Sequence, residues 1–213
     1  MTITIHDTMQ QGSDEWLQAR CGLLTASEMK LIITPTLTVA NNDATRLHLY
    51  ELLAQRITRY VEPTFQSFDM ERGQIGEIYA RQIYHENIAE TQECGFITND
   101  KWGFTLGYSP DWLVGDDGLG ECKTRVQKHQ VKTIIEHVFE TDSATIPADY
   151  VIQCQTGLLV SERKWIDFVS YHGGLPMAVI RVWPDDVIQN AIIEAAGEFE
   201  TKMAAKLKDY RDA

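Results

Sequence analysis

The chain has 213 residues, of which 44% are hydrophobic, and a formal net charge of −12. This length and composition suit one domain over residues 1–213 with a substantial hydrophobic core. The negative charge argues against a protein that coats nucleic acid by bulk attraction, so any contact with DNA has to be local. The apolar runs are too short to span a membrane, and the N-terminal residues lack the pattern of a signal peptide. We therefore expect a soluble, cytoplasmic protein with no membrane partner.

The four cysteines, Cys21, Cys94, Cys122 and Cys154, are scattered along the chain and form no Cys-x-x-Cys pair. Zinc sites and disulfide frameworks of small domains usually show closely spaced or regularly spaced cysteines. The spacing here therefore favours buried free thiols in a reducing compartment.

Helix start signals are prominent near the N-terminus. Ser13 precedes two acidic residues and predicts a helix that ends near Gly22. Thr25-Ala-Ser-Glu28 has the form of a capping box and predicts a second helix through Ile33. Residues 34–42 are rich in Thr, Asn and Pro and predict a loop. Further predicted helices cover residues 44–59, 70–87, 150–160 and 185–210, and the second of these places Ile75, Ile78, Tyr79 and Ile83 on one face.

Alternating apolar residues predict the strands, and a turn signal joins two of them. Gly115-Asp-Asp-Gly118 lies between two such runs and predicts a β-hairpin, with Asp116 and Asp117 in the turn. Strands interspersed with helices indicate an α/β fold with a central mixed β-sheet flanked by helices. The predicted strands cover residues 95–98, 102–114, 119–125, 165–171 and 178–183.

The predicted hairpin carries residue types suited to phosphodiester cleavage. Asp111 is followed, after nine residues, by Glu121-Cys122-Lys123. Cleaving a phosphodiester requires an activated water and a counter-charge for the developing transition state. A divalent ion held by carboxylates supplies both, and a nearby lysine can orient the water or neutralise charge.

The register of the hairpin decides whether these residues can cooperate. A turn of three or five residues places Asp111 opposite Glu121, with β-carbons roughly 4.5–5.5 Å apart. Lys123 then lies on the same face, whereas the Cys122 side chain points away and leaves its carbonyl as a further ligand. A four-residue turn would put the two carboxylates on opposite faces unless a bulge restored the register. Spacing alone does not separate this hypothesis from a solvated hairpin with ordinary surface charges.

Glu77 offers a third carboxylate, one turn into the predicted helix 70–87. Gly73 and Gly76 precede it and allow another element to approach the helix closely, which would let Glu77 join the metal site. The alternative is a surface glutamate that pairs with Arg81 at i+4. The spacing leaves both interpretations open.

At these residues the sequence resembles the bacteriophage lambda exonuclease and YqaJ-like family of viral recombination nucleases, which have the PD-(D/E)XK, restriction-endonuclease-like fold. Four blocks occur in the family's order along nearly the whole chain, which is more specific than any single block. The blocks are Gln11-Gly-Ser-Asp-Glu-Trp16 with Arg20-x-Gly22 and Thr25-Ala-Ser-Glu28; the Gly73 to Arg81 segment; Ser109-Pro-Asp111 with Glu121-x-Lys123; and Gln153-Cys-Gln155 followed by Trp165.

The resemblance implies a processive 5′→3′ exonuclease that degrades one strand of double-stranded DNA and leaves a 3′ single-stranded overhang. It implies Mg²⁺, with Mn²⁺ as a substitute and two ions per active site. Asp111, Glu121 and the Cys122 carbonyl would bind metal, Lys123 would assist the attacking water, and Glu77 would complete the acidic cluster. It further implies a homotrimeric ring, a phage single-strand annealing protein as partner, and a phage or prophage origin in a bacterial cell.

The resemblance also implies a pocket for the 5′-phosphate of the DNA end, formed by Arg20, Ser27, Ser109 and Gln153. The predicted helix at Thr25 supports it, because Ser27 would lie in the first turn, where free amides attract anions. Arg20 can grip a phosphate with two parallel hydrogen bonds. In the alternative reading Thr25 and Ser27 only cap a helix, Arg20 is a surface cation and Gln153 is a satisfied polar group.

Three further residues are expected to contact DNA: Thr25, Met70 and Gln155. Met70 lies where the family has an apolar residue that separates the strands, although a core methionine would look the same. Residues 34–42 carry little positive charge, which departs from the cationic family pattern and weakens the expected grip on the duplex. We interpret Trp16 as a core aromatic residue and not as a base-stacking platform.

Three rival functions remain at this level. The chain could be a PD-(D/E)XK nuclease of other polarity or with endonuclease action, or a non-catalytic DNA-binding module that has kept the fold. The intact set of Asp111, Glu121 and Lys123 disfavours the binding module, which has no need of all three. The third alternative, an acidic adaptor protein, is supported by the net charge alone.

Overall fold

The structure is a computed structural model that describes residues 2–63, 68–140 and 145–213, except for the side chains of residues 68–70. The helices are α1 (Asp14–Arg20), α2 (Asp43–Thr58), α3 (Phe68–Asn87), α4 (Gln127–Ile134), α5 (Val151–Ser161) and α6 (Asp186–Asp212). The strands are β1 (Ile3–His6), β2 (Leu24–Thr25), β3 (Phe96–Asn99), β4 (Leu106–Tyr108), β5 (Trp112–Val114), β6 (Gly118–Thr124), β7 (Trp165–Tyr171) and β8 (Ala178–Val182). A π-helical turn, Ile135–Phe139, follows α4, and a short 3₁₀ turn, Ala148–Tyr150, precedes α5.

The strands form two mixed sheets, in the orders β1-β3-β4-β2 and β5-β6-β7-β8. The predicted α/β class with a mixed sheet and flanking helices is therefore confirmed, with the strands divided between two sheets. The division arises inside the predicted strand 102–114, which is interrupted between Tyr108 and Trp112. Pro110 lies in this gap, and proline cannot donate a backbone hydrogen bond to a ladder. The chain leaves one sheet and enters the other at Ser109-Pro110-Asp111.

The central helix α5 connects the two sheets. It packs against β3 and β4 of the first sheet, against β7 of the second, and against α6. The residues from Cys154 to Val160 are all buried. A helix that is apolar on all sides is stable only when it is surrounded by other elements. This central position brings the start of α5 close to the end of β4 and to β6.

The N-terminal prediction is confirmed at α1, where the Ser13 hydroxyl accepts a hydrogen bond from the Trp16 amide at 3.2 Å. The predicted helix from Thr25 to Ile33 is wrong. Thr25 ends strand β2, which runs parallel to β4, and only a single 3₁₀ turn (Met29–Leu31) follows. The Thr25 hydroxyl donates to the Glu28 carboxylate at 2.8 Å. Pairing with a distant strand thus overrides the local capping pattern.

The apolar face of α3 lies on the surface. Ile75, Ile78, Tyr79 and Ile83 are exposed, whereas the helix buries the smaller Gly76 and Ala80 together with Tyr84. A β-carbon added at Gly76 would lie 2.5 Å from Thr124 Oγ1, so glycine is required for α3 to pack on the end of β6. Gly73 has no such neighbour; its carbonyl accepts a hydrogen bond from the Thr124 hydroxyl at 3.1 Å.

All four cysteines are free thiols, and three of them are buried, as the sequence indicated. None of the helices in the described part of the chain combines the length and the apolar character that crossing a lipid bilayer requires.

A buried carboxylate joins α3 to the edge of the second sheet. Asp167 on β7 is 1% exposed and accepts a hydrogen bond from the Tyr84 hydroxyl at 2.6 Å. Arg181 on β8 donates to both of its oxygens, at 2.8 and 2.9 Å, and stacks on the Trp165 ring at 3.6 Å. Two-point pairing with arginine is the geometry that best offsets the desolvation of a carboxylate.

Asp167→Ala is expected to lower the free energy of unfolding by about 3–5 kcal/mol, because it leaves Arg181 and Tyr84 without their partner. Glu198→Ala, which removes an exposed i,i+4 pair with Lys202, serves as the control and should cost less than about 1 kcal/mol. Urea denaturation followed by circular dichroism measures both values. Equal losses in the two variants would contradict the structural role of Asp167.

Candidate active site

The β5–β6 hairpin has the register that the metal-site hypothesis requires. The last pair is Val114 with Gly118, which leaves a three-residue turn over 115–117 that contains both aspartates. Extending this register toward the open end of the hairpin places Asp111 opposite Glu121. The Asp111 amide donates to the carbonyl preceding Glu121 at 3.1 Å, so the pairing continues to this position. Three residues is one of the two turn lengths that the sequence analysis required for the two carboxylates to face each other.

Glu121 is 2% exposed, and donors from three elements surround its carboxylate. Lys123 Nζ and Gln153 Nε2 donate to Oε1 at 2.6 and 2.5 Å. The Tyr108 hydroxyl donates to Oε2 at 2.9 Å. The Tyr108 ring reaches this position because Gly157 on α5 leaves space for it; a β-carbon there would lie 2.8 Å from the ring. Both oxygens of this buried carboxylate are therefore satisfied.

Asp111 and Glu77 lie beside this network. Asp111 Oδ2 accepts a hydrogen bond from the Cys122 amide at 2.5 Å, and its carboxyl group lies near that of Glu77. Arg81 instead forms an ion pair with Glu93. The Glu77 carboxylate thus lies near those of the hairpin, as the close packing of α3 on β6 allows.

Crowding of the carboxylates shifts their ionisation. Burial, followed by repulsion from Glu121 and Glu77, holds the pKa of Asp111 well above its usual range. Burial and repulsion from Glu121 also raise the pKa of Glu77. Burial lowers the pKa of Lys123, but attraction from Glu121 and Asp111 outweighs it and leaves that pKa above its ordinary value. The cluster therefore holds a charged lysine and an excess of negative charge that a cation would relieve.

The donor chemistry fits a hard divalent cation. The site offers carboxylate oxygens and the backbone of Cys122, whose thiol packs away from the carboxylates among Ala80, Tyr84 and Trp112. Oxygen donors of this kind suit Mg²⁺ or Mn²⁺, and the lack of thiolate or imidazole donors disfavours zinc. In the described residues, no three His, Cys, Asp or Glu side chains adopt a preformed ligand arrangement. Lys123, Gln153 and Tyr108 engage the Glu121 oxygens instead.

A desolvated arginine lies next to the hairpin. Arg20 donates to the Ser109 and Thr25 hydroxyls, each at 3.2 Å, and lies 4.3 Å above the Trp16 ring. Trp16 Nε1 donates to the same Ser109 hydroxyl at 2.9 Å, a role that the prediction of a core aromatic missed. Burial lowers the pKa of Arg20, with a smaller opposing effect from Glu28. Arg20 is thus a held and partly dehydrated cation rather than a mobile surface residue.

The other predicted phosphate and DNA contacts fall in different places. Ser27 is exposed and its hydroxyl lies 3.3 Å from that of Thr25, but it does not begin a helix, so the helix-dipole argument for anion binding fails. Gln153 hydrogen-bonds Glu121 and not the Arg20 group. Gln155 is 2% exposed and holds the backbone of residues 183 and 185, which does not support a DNA contact. The Met70 side chain lies outside the described residues.

Tyr108 and Tyr150 are site residues that the sequence analysis did not identify. Tyr108 contacts Glu121 directly, and Lys123 Nζ lies 5.6 Å from the centre of the Tyr150 ring. Tyr108 lies on β4, in the other sheet, and Tyr150 in the 3₁₀ turn before α5. No sequence pattern marks either one, because both reach the site through the pairing of distant segments.

Comparisons with known proteins place this arrangement in a family. Residues 15–164 match the model of the YqaJ-like viral recombinase domain. The structure is similar to the alkaline exonuclease LHK-Exo from Laribacter hongkongensis, with a TM-score of 0.80 and 28% identity over 94% of this chain and 97% of that chain. The complex of LHK-Exo with dAMP gives a TM-score of 0.81 and 29% identity with the same coverage.

A phage-related exonuclease from Haemophilus somnus 129PT shares the fold, with a TM-score of 0.55 and 12% identity over 87% of this chain and 96% of that chain. No curated protein shows significant similarity to the sequence. The family model covers well over half of the chain and spans the carboxylate hairpin, Glu77, Arg20 and Gln153. The chain therefore belongs to the YqaJ-like viral recombinase family.

Proposed function

We propose that this protein is a Mg²⁺-dependent deoxyribonuclease that removes nucleotides from 5′-phosphorylated ends of double-stranded DNA. The observation that carries the proposal is that a carboxylate cluster and an arginine site lie on the two sides of Pro110. Asp111 on one side of Pro110 lies beside the buried carboxylate of Glu121 and the half-buried carboxylate of Glu77. Ser109 on the other side binds the desolvated Arg20. A metal-binding group and an anion-binding group therefore lie within a short distance along the chain.

In this proposal Asp111 and Glu121 hold Mg²⁺, with Glu77 as the third carboxylate. The ion supplies an activated water and a counter-charge for the phosphate. Lys123 Nζ lies beside both carboxylates, which raise its pKa in the metal-free site. In this proposal its ammonium group orients the water and neutralises charge. Its hydrogen bond with Glu121 fixes the ammonium in place before substrate arrives.

Arg20 is the proposed receptor for the terminal 5′-phosphate. Its guanidinium is held by two hydroxyls and an indole ring, so little side-chain freedom is lost when an anion binds. Partial dehydration strengthens the attraction for a phosphate. A phosphate held here would set the scissile bond at a fixed distance from the carboxylates, which accounts for the removal of one nucleotide at a time.

The finer features of the proposal come from the family. They are 5′→3′ polarity, processive degradation that leaves a 3′ overhang, two ions per site, a homotrimeric ring, and cooperation with a phage single-strand annealing protein in the bacterial cytoplasm. The similarity to an alkaline exonuclease supports end-directed cleavage. The dAMP in the second LHK-Exo structure is consistent with release of mononucleotides.

We expect Lys123→Ala to lower kcat on duplex DNA by about 10²–10³-fold or more, as the loss of a preorganised donor does in other enzymes. Binding of DNA should change little, because the substitution leaves Arg20 in place. Lys164→Ala removes an exposed lysine that also pairs with a carboxylate and provides the matched control. Full activity of the Lys123 variant in a gel assay would refute the proposed site.

Duplexes that differ only in the 5′ end test the polarity and the phosphate pocket together. The wild type should degrade the 5′-phosphorylated strand from its end about 10–100 times faster than a 5′-hydroxyl strand, a difference worth the roughly 1.5–3 kcal/mol of a charged hydrogen bond. Arg20→Gln should remove most of this difference. Arg46→Gln changes an exposed arginine on α2 and should preserve it. Internal cuts in the labelled strand would instead indicate an endonuclease, and loss from the 3′ end the opposite polarity.

Thermal unfolding in the presence and absence of Mg²⁺ tests the metal site independently of cleavage. Mg²⁺ at 100 times its Kd should raise Tm by about 5–10 °C, because it binds only the folded cluster. Asp111→Asn should abolish this shift, whereas Asp117→Asn, in the hairpin turn, should retain it. An equal shift in all three proteins would show that Mg²⁺ acts elsewhere.

A further inference from the structure

A groove of about 810 Å³ begins where the catalytic hairpin ends. Its floor includes Thr124, the residue after Lys123, and its wall includes Gly76, the residue before Glu77. From there it runs between α3, the start of α4 and the turn after β7. Tyr150 stands at the junction, since its ring lies 5.6 Å from Lys123 Nζ and 5.2 Å from Arg125 Cζ. The groove therefore lies next to the active site.

The groove is cationic although the chain carries a net charge of −12. Its lining includes Arg72, Arg125, Lys128 and His172, and no carboxylate among the described residues that form it. The aliphatic and aromatic side chains of α3 and β7 complete the walls. This is the composition of a site that receives a phosphate group together with the apolar face of a sugar or base.

Two buried nitrogen atoms beside the groove have hydrogen-bonding capacity that the protein does not use. Arg125 Nη1 and His172 Nδ1 have no hydrogen-bond partner among the described residues, and both residues line the groove. An unsatisfied buried polar atom costs about 1–3 kcal/mol, so native proteins retain it mainly where another molecule supplies the partner. The partner must be an acceptor for Arg125, which carries donors only. An anionic oxygen meets this requirement.

The groove also extends beyond the size of one nucleotide. Arg72, Thr124 and Arg125 line a second trough of about 610 Å³ that continues along α4 past His129 and Lys132. Glu136 and Asp149 lie in this second part, where Glu136 pairs with Lys132 at 3.6 Å. Arg125 and Lys128 thus lie at the end of the groove next to the hairpin, and the path leads away from it. An extended polyanion fits this shape better than a free mononucleotide.

We propose that the groove binds phosphodiester groups of the DNA backbone beyond the nucleotide that is being removed, with Arg125 and Lys128 as direct contacts. The inference rests on the proposed function, since it requires DNA to occupy the neighbouring active site. It assigns a separate task to each cationic region. Arg20 holds the terminal phosphate, and the groove holds the backbone that remains after cleavage.

The salt dependence of DNA binding tests this proposal. Fluorescence anisotropy with a 5′-phosphorylated duplex, in EDTA so that no metal-dependent cleavage occurs, gives Kd at several salt concentrations. Each lost phosphate contact should reduce the slope of log K against log salt by about 1. Arg125→Gln and Lys128→Gln should each show this reduction and a several-fold higher Kd. Lys128 is exposed, so its variant reports on binding even if Arg125→Gln perturbs folding.

Lys202→Gln, on the exposed face of α6, is the control and should leave the slope unchanged. Unchanged slopes in both groove variants would overturn the inference. Binding of a free mononucleotide in the groove would also overturn it. In that case added dAMP would compete less well with the DNA in the groove variants than in the wild type, while the salt slopes of those variants stayed at the wild-type value. Failure of wild-type cleavage would count against the proposed function, whereas wild-type cleavage with unchanged slopes would count against the groove alone.

Discussion

The carboxylate of Glu121 is almost fully buried, and the arrangement of the elements around it follows from the cost of placing a charge so far from water. Its donors come from three elements: Lys123 from the same strand, Tyr108 from the end of β4 and Gln153 from the start of α5. These hydrogen bonds to one carboxylate connect both sheets with the central helix. The active-site geometry and the packing of the fold therefore depend on the same contacts.

The carboxylates of Asp167 and Asp111 have opposite electrostatic surroundings. Asp167 is matched by one two-point arginine and a tyrosine hydroxyl, an arrangement that stabilises the edge of the sheet. Asp111 faces two further carboxylates and one lysine, and burial together with repulsion from those carboxylates raises its pKa. A hairpin that served stability alone would gain by replacing such a group with an apolar residue. A bound cation would relieve the repulsion among these carboxylates, which agrees with the proposed metal site.

The parts of the structure that follow from local rules could be predicted from the sequence. The hairpin register depends only on side-chain alternation and on the length of the turn, and the cap at Ser13 depends on residues within one helical turn. The helix predicted at Thr25 failed because β2 pairs with β4, which is far away in sequence. The apolar stripe of α3 suggested a buried face, but these residues lie on the surface. The helix packs through Gly76 and Ala80, since small residues permit the closest approach, and its large apolar residues stay outside.

Net charge predicted little about the location of DNA binding, and screening gives the reason. At about 0.1 M salt, charges further apart than roughly 10 Å interact weakly when exposed to solvent. The acidic residues on the remaining surface therefore do not prevent a phosphate from binding beside Arg125 and Lys128. These acidic residues do, however, prevent long-range electrostatic attraction between the protein and DNA. In the proposed function, affinity must then arise from contacts made after an end has entered the site, where Arg20 and the groove act together. Such a protein gains little by binding the interior of a duplex, and this favours action at ends.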